Sequence, residues 1–366
     1  MTESNKNKFT MDDTWALKGI AILLMLFHHS FLSPQRYAGD TVIFSPFSET
    51  FINQISSASK ICVSLFVFVT GFGLAISFSK VKDGQINKWI GTRLIRVMSG
   101  FWFVFFLSNV ICQIIDGRPW NIYFAEGIVR GVLYFLTDFL GLSSLLGTPS
   151  LCGTWWYMSI AVLFVLIVPI LVWIDRKFGL ITMLCISFFA YIILVPTEYD
   201  AKSVFTWLPV LALGVACALH NTFEKICGFF ESKPVWYKCG VTLLGWCIVL
   251  LFYAKFYEIS GSRYYYLRYG LFPFLLIVML KLSVFKLKGI RGVLGWLGKY
   301  SMDIFLTHTF LRQYYLHTFI YSFKYMGGIL LVLFVVSLIL AIVVSELKKL
   351  MHYSQFIDWL IQKCTR

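Results

Sequence analysis

A lysine and a histidine in the first apolar segment have a spacing that suits chemistry on a bound anion. The segment reads TWALKGIAILLMLFHHSFL, with Lys18 near its start and His28 and His29 near its end. In an α-helix, Lys18 and His29 lie on one face, about 16 Å apart along the axis. An imidazole ionises near neutral pH, so it can act as a general base or accept a transferred group. The alternative is that Lys18 extends to lipid headgroups and the histidines bond backbone carbonyls.

Two arginines in the segment WIGTRLIRVMSG form a second candidate site. Arg93 and Arg96 are three residues apart, so they lie on one side of a helix. Guanidinium groups match phosphate oxygens well. Together with Lys18, they predict a pocket for a phosphorylated ligand. The alternative is a pair of cations that only anchors the helix at the membrane surface.

A later segment, GWLGKYSMDIFLTHTFLRQYY, carries ionisable residues among apolar ones. Asp303 is costly in lipid unless it faces water or a partner. It can orient a histidine, or pair with Lys299 four residues earlier. We predict that Asp303 and His308 assist orientation or proton transfer at the site, and the alternatives are a structural ion pair and a packing histidine.

Three aromatic residues open the segment TWWYMSIAVLFVLIVP. Trp155, Trp156 and Tyr157 can stack on a sugar ring, or they can form the aromatic belt of a membrane helix.

The nine cysteines are scattered without a CxxC pair, which favours buried apolar residues over a disulfide framework. We predict no metal site.

The composition indicates that these residues are positioned by membrane-embedded segments. The chain of 366 residues is 58% hydrophobic and 14% charged, and its mean hydropathy is +0.76. A soluble domain is nearer one quarter charged. The net charge of +14 is divided among short stretches between apolar runs, which indicates topology determinants and anion sites and excludes a nucleic-acid-binding protein.

The sequence therefore predicts an all-α polytopic membrane protein with about ten transmembrane helices, since each crossing takes about 20 apolar residues. The predicted spans are 15–33, 58–78, 94–114, 154–174, 178–195, 203–219, 238–257, 267–283, 291–311 and 327–347. The segment 121–147 is interrupted by charges and glycines, so we predict that it is interfacial or re-entrant.

The basic residues also predict the orientation. With the N-terminus inside, 21 of the 32 Lys and Arg residues fall on the cytoplasmic side and 10 on the outer side. This bias places both termini in the cytoplasm. The predicted organisation is a cytoplasmic tail at 1–14, a transmembrane domain at 15–347 and a second cytoplasmic tail at 348–366.

Taken in order, these segments resemble the acyltransferase-3 family of bacterial membrane O-acyltransferases. Lys18 and His29 fit the family's pattern of a basic residue, ten positions and a histidine. LFVFVTGFGLAISF resembles the helix 2 block, with Thr70 where Ser is usual, and TRLIRV resembles the arginine block. The helix 4 block ends in Pro169, and LGKYSMDIFLTHTF resembles the late block.

One departure concerns the helix 4 block. Many members have a Glu there, but this chain has Ala161 and Val162, so no carboxylate role is transferred. The pattern is closest to the branch that modifies capsules, exopolysaccharides and surface adhesins. No appended hydrolase-like domain is evident in the sequence.

The resemblance implies acetyl-CoA, or a related acyl-CoA, as the donor, with its phosphates held on the cytoplasmic side by Lys18, Arg93 and Arg96. His29 would be the catalytic base or transient acyl acceptor. A hydroxyl of a polysaccharide or lipid-linked glycan would receive the acyl group from the outer side, next to the helix 4 aromatics. The implied location is the bacterial inner membrane, where membrane lipids surround the protein. A homo-oligomer is left open.

Two other functions fit the same residues. A polysaccharide or lipid-linked sugar exporter would also bury charges in a helical bundle, but it tends to show internal repeats with paired broken helices. No convincing repeat is present. A small-molecule acyltransferase with a cytosolic acceptor would use the same site without a route to the outer face.

Overall fold

The computed structural model describes residues 7–82, 84–194, 202–255 and 267–365, and these are helical with short connections. Among the basic residues counted for orientation, Lys6, Arg263 and Arg366 lie outside these ranges. The described residues contain no β-strand, only one bridge between Ile43 and Tyr325. The α-helices are α1 Met11–Phe31, α2 Glu49–Ala58, α3 Ile61–Phe78, α4 Ile86–Asp116, α5 Arg118–Tyr123, α6 Ile128–Phe139, α7 Ser143–Leu146, α8 Trp156–Phe178, α9 Leu180–Leu194, α10 Val204–Leu219, α11 Thr222–Glu231, α12 Val235–Lys255, α13 Phe272–Leu282, α14 Lys288–Lys299, α15 Ser301–Thr309, α16 His317–Tyr321, α17 Met326–Leu350 and α18 Tyr353–Cys364.

Seven of the predicted spans correspond to helices that are long and apolar enough to cross a bilayer. Within the described ranges these are Met11–Phe31, Glu49–Phe78, Ile86–Asp116, Gly153–Phe178, Val235–Lys255, Leu267–Lys286 and Met326–Leu350. The prediction of an all-α polytopic membrane protein is thus confirmed, and helices of this kind satisfy their own backbone hydrogen bonds inside lipid.

The predicted spans at 178–195 and 203–219 are shorter helices. α9 has 15 residues and α10 has 16, and residue 195 lies outside the described part. α10 continues into α11 after a bend of 68°, and the two together would make an eighth span. Residues 256 and 257 of the predicted span 238–257 are also outside the described ranges.

The predicted span 291–311 is not one straight helix. It divides at Tyr300 into α14 and α15, and α15 continues as a π-helical turn at Phe310–Tyr315. π-helical turns are common at functional sites in membrane and soluble proteins. The predicted pairing of Asp303 with Lys299, four residues earlier, assumes a continuous helix, and the helix is interrupted between the two residues.

α1 lies in the centre of the bundle, where it contacts α2, α3, α14, α15 and α17. Its closest approach is to α14. A Cβ atom at Gly19 would lie 2.1 Å from the Leu294 carbonyl oxygen, and one at Gly298 would lie 1.9 Å from the Trp15 carbonyl oxygen. Small residues permit such backbone contact between membrane helices. The contact brings Lys18 on α1 and Lys299 on α14 to the same part of the bundle.

Replacing Gly298 with Val should therefore destabilise the protein, because α1 and α14 must separate to admit the side chain. Overpacking of this kind costs about 3 kcal/mol or more at so short a distance. The matched control is Gly289→Ala on the same helix, where a Cβ meets nothing within 4 Å. Thermal unfolding in detergent should show a large loss for Gly298→Val and almost none for Gly289→Ala. Equal melting temperatures would contradict the close packing.

The start of α1 is fixed by a capping box and a buried ion pair. Thr10 and Asp13 exchange hydrogen bonds at the helix N-terminus. Asp13 is fully buried, and its carboxylate accepts a hydrogen bond from Lys281 Nζ at 2.8 Å, with Arg291 Nη1 at 3.5 Å. α1 thus begins inside the segment predicted as the tail 1–14. These contacts fix the height and rotation of the helix that carries Lys18 and His29.

The segment predicted as interfacial or re-entrant, 121–147, contains the short helices α6 and α7 and no span by length and composition. One face of α6 is exposed and apolar, as Val129 and Leu133 show. Asp138 on its other face is buried and accepts hydrogen bonds from Tyr123 Oη at 2.6 Å and from the Leu151 amide at 2.9 Å. Burial raises the pKa of Asp138. An amphipathic helix of this kind fits the membrane surface.

Candidate active site

A cavity of about 590 Å³ runs between α1, α3, α4, α8, α15 and α17. This volume lies within the range of small-molecule and cofactor sites. Lys18 lines one end of it and His29 lines a deeper part, as their eleven-residue spacing predicts. The cavity continues past His29 to Arg36, which follows the end of α1.

Four basic side chains line the Lys18 end of the cavity: Lys18, Arg96, Lys299 and Lys348. The Lys18 ammonium lies 4.6 Å from the centroid of the Trp15 ring, a cation–π contact that fixes its direction. Arg96 lies 4.0 Å from the exposed Asp358 carboxylate of α18, so this pairing is weak. This end of the cavity is suited to an anion with several negative charges.

Arg93 does not line the cavity. Its guanidinium donates a hydrogen bond to Ser77 Oγ on α3 and lies 6.0 Å from the Trp89 ring. Three residues along a helix correspond to 300°, so Arg93 and Arg96 differ in direction by about 60°. In this bundle that difference places Arg96 towards the cavity and Arg93 towards α3.

Three imidazoles meet beside the middle of the cavity: His28 and His29 line it, and His308 is fully buried next to His29. The ring centroid of His29 lies 5.1 Å from that of His28 and 5.0 Å from that of His308. Nδ1 of His29 is buried, and no hydrogen-bond partner for it exists in the described part of the chain. His29 is thus the imidazole that the fold leaves ready for a ligand.

The other two imidazoles are oriented by backbone carbonyls. His28 Nδ1 lies 2.8 Å from the Ser56 oxygen, and His308 Nδ1 lies 2.9 Å from the Phe305 oxygen. Because a carbonyl only accepts, both Nδ1 atoms donate and both Nε2 atoms carry the lone pair in the neutral ring. Thr309 Oγ1 lies 3.2 Å from His308 Nε2 and donates to it.

Asp303 pairs with a residue that the sequence placed in the C-terminal tail. Lys348 Nζ donates to Asp303 Oδ1 at 2.5 Å, and both side chains line the cavity. The Asp303 carboxylate thus holds Lys348 at the cationic end, and its pairing with Lys299 is not seen. The predicted part of Asp303 in orientation or proton transfer stays a prediction.

Of the three aromatic residues that open α8, two line the cavity. Trp156 and Tyr157 face it, close to Thr70 and Phe66 of α3. Trp155 is almost fully buried outside the lining, where its Nε1 donates to the Leu306 carbonyl oxygen at 3.1 Å and its ring meets Phe101 edge-on. Trp155 thus has the contacts of a core residue.

The comparison with protein families decides the assignment. The family model described as an acyltransferase domain (Acyl_transf_3) matches residues 15–346, which include every residue that lines the cavity except Lys348. The chain belongs to the acyltransferase-3 family. It is therefore a membrane acyltransferase. No curated protein and no solved structure matches it.

No group of three or more His, Cys, Asp or Glu residues that could hold a metal ion occurs in the ranges that the structure describes. Within those ranges the acyltransferase offers side chains suited to acid–base chemistry and to anion binding. The prediction that it uses no metal stays a prediction.

Sequence reasoning missed several residues of this site in the acyltransferase. Arg36, Lys60 and Lys348 were counted only as topology determinants, and Thr154 was not considered. In the sequence, Lys348 lies next to Lys349 at the end of a predicted span. Basic residues that only anchor a helix at the membrane surface occur at the same position. Only the packing of α17 against α15 shows that one of the two faces the cavity.

The pair Lys348 and Lys349 offers a matched test. Lys348→Met should lower acyl transfer about tenfold or more, because it removes one cavity cation and leaves the buried Asp303 unpaired. Lys349 is exposed and pairs with Glu346 outside the cavity, so Lys349→Met should retain activity. The measurement is the initial rate of acyl transfer by each purified variant. Similar losses in both variants would contradict the assignment of Lys348.

Proposed function

We propose that this acyltransferase moves an acetyl, or similar acyl, group from cytosolic acyl-CoA to a hydroxyl of a cell-surface or lipid-linked polysaccharide. The observation that carries the proposal is one cavity that has cations at one end and an unpaired imidazole deeper in. Acetyl-CoA has the matching form, with phosphates at one end and a thioester at the other. The Lys18 end faces the cytoplasm of a bacterium in this proposal, and the protein lies in its inner membrane.

Cationic side chains hold the phosphate end of the donor, and the length of its pantetheine arm places the thioester end. Lys18 and Arg96 contact the phosphates, with Lys299 and Lys348 close by. Arg93, which bonds Ser77, acts by packing α4 against α3. The distance of about 16 Å from Lys18 to His29 along α1 is spanned by the extended pantetheine arm. The thioester carbonyl then lies next to His29.

Two routes use the same imidazole. In the first, His29 takes the proton of the acceptor hydroxyl as its oxygen forms a bond to the thioester carbon. The C–S bond then breaks, and the thiolate of CoA takes a proton. In the second, a nitrogen of His29 forms a bond to the thioester carbon, the C–S bond breaks, and the CoA thiolate leaves and takes a proton. The acceptor oxygen then forms its bond to the acyl carbon, the bond to His29 breaks, and the acceptor proton passes to the released imidazole. His308, 5.0 Å away by ring centroids, assists proton transfer in either route.

The acceptor reaches the imidazoles from the Arg36 end. Trp156 and Tyr157 line the cavity and provide aromatic faces on which a sugar ring can stack. The cavity continues past His29 to Arg36, which favours entry of the acceptor from that end. A cytosolic acceptor would enter from the Lys18 end and would not need this continuation. The partners in this proposal are thus a glycan and membrane lipids.

The test is transfer of radiolabel from acetyl-CoA to a purified glycan by the protein in lipid nanodiscs. The account predicts label in the glycan with the native chain and none with His29→Ala. Binding of acetyl-CoA, measured separately, should be retained by His29→Ala. A native chain that binds acetyl-CoA but labels no glycan in a broad panel would overturn the polysaccharide acceptor, and absence of binding would overturn the donor.

A further inference from the structure

The end of the cavity opposite Lys18 is also cationic. Arg36 and Lys60 line it beside His28 and Leu32. Arg36 lies in the short turn Pro34–Arg36 after α1, and Lys60 lies between α2 and α3. Both side chains are half-buried. The phosphates of the proposed donor occupy the other end, so the donor does not account for the charge of Arg36.

A third cation, Arg312, lies behind this end. It is 2% exposed and sits in the π-helical turn Phe310–Tyr315. Its Nε atom is buried without a partner, and Nη2 donates to the neutral Gln313 side chain at 3.2 Å. Its charge acts on Arg36 and on all three imidazoles of the site.

In the described part of the chain, the two acidic residues that follow Arg36 most closely in sequence contact other side chains. Asp40 pairs with His317 at 3.4 Å, and Glu49 accepts a hydrogen bond from Tyr37 Oη at 2.8 Å. In the described ranges no ion pair joins Arg36 or Arg312 to a carboxylate. Burial, and then the like charge of Arg312, lower the pKa of Arg36 from its ordinary value.

A buried guanidinium without a counter-ion is unfavourable. The buried Arg312 behind this end and the half-buried Arg36 that lines it therefore make this end of the cavity favourable for an anion. Arginine forks bind carboxylates and phosphates through two parallel hydrogen bonds, which fixes the anion in orientation as well as in position.

We infer that the Arg36 end of the cavity binds an oxyanion of the acceptor, either a uronic acid carboxylate or a glycan phosphodiester. This inference rests on the proposed function. Arg36 contacts the anion directly, and Arg312 adds to the positive potential behind it. The bound anion fixes the sugar so that a hydroxyl of the same or the next residue meets His29. The enzyme therefore selects acidic glycans over neutral ones.

The test compares matched acceptors that differ only in charge. The first pair is an oligosaccharide containing uronic acid and the same oligosaccharide with its carboxyl groups reduced to alcohols. The second pair is a phosphodiester-bearing oligosaccharide and its dephosphorylated form. For each pair, both kcat/KM for acetyl transfer and direct binding to the protein in nanodiscs are measured. The native chain should prefer one acidic member by about tenfold or more, the value of one charged hydrogen bond.

Arg36→Gln should abolish this preference by raising KM for the acidic acceptor about tenfold. KM for acetyl-CoA and the binding of the neutral acceptor should not change. Arg36→Lys should restore part of the preference, because it keeps the charge but loses the fork. Arg130→Gln is the control, since Arg130 is exposed and pairs with Glu126 outside the cavity.

The outcomes separate the two proposals. Equal kcat/KM and equal binding within both pairs, or a preference that survives in Arg36→Gln, would overturn the inference while the transferase function stands. Preferential binding of an acidic acceptor without any acetyl transfer would support the anion site and overturn the proposed reaction. Binding of no acidic glycan would overturn the inference.

Discussion

Replacing His29 with Ala should lower the rate of acyl transfer by about 10³-fold, within the range that general acid–base catalysis contributes. The reason is that His29 is the imidazole at the centre of the cavity whose Nδ1 has no partner in the described part of the chain. Loss of a general base leaves binding of the donor intact, so kcat should fall while KM for acetyl-CoA changes little.

The control for this prediction is a histidine outside the cavity. His352 is exposed after α17 and has a positive φ of 49°, so His352→Asn keeps a residue that tolerates this conformation. Its activity should equal that of the native chain. His29→Ala with normal acyl transfer would remove the central residue of the mechanism.

Neutralising the cationic end of the cavity should weaken donor binding. Lys18→Gln and Arg96→Gln should each raise KM for acetyl-CoA about tenfold or more, because a hydrogen bond to a charged group contributes about 1.5–3 kcal/mol. Both side chains line the cavity. With acetyl-pantetheine, which lacks the nucleotide phosphates, the same variants should show almost no difference from the native chain.

Arg93→Gln tests whether both arginines bind the donor phosphates or only Arg96 does. The structure directs Arg93 to Ser77, away from the cavity, so its KM for acetyl-CoA should rise less than that of Arg96→Gln. A larger effect at position 93 than at position 96 would contradict the arrangement of α4 described above. Kinetics for both donors with each variant supply the comparison.

Much of the fold followed from composition and periodicity. Apolar runs of span length predict helices wherever the chain is regular, as in α4 and α17. The sequence could not show that the run around Tyr300 is divided, because its apolar residues continue through the break. Likewise, the glycines at 19 and 298 have meaning only once α1 and α14 are seen in contact.

The site could be predicted only in part, because sequence spacing gives relative positions within one helix but not between helices. Lys18 and His29 lie on one helix, so their relative position follows from helical geometry alone. The partner of Asp303 is Lys348, 45 residues away on another helix, and no local spacing predicts it. The separate directions of Trp155 and Trp156 depend on how α8 rotates in the bundle, which only packing against α4 and α10 determines.

The most direct test of the central claim is a structure of the protein with a non-transferable analogue of acetyl-CoA, in which CH₂ replaces the thioester sulfur. The account predicts nucleotide phosphates beside Lys18 and Arg96, and the carbonyl carbon within about 3.5 Å of a His29 nitrogen. Phosphates bound at the Arg36 end, or a carbonyl carbon remote from His29, would contradict it.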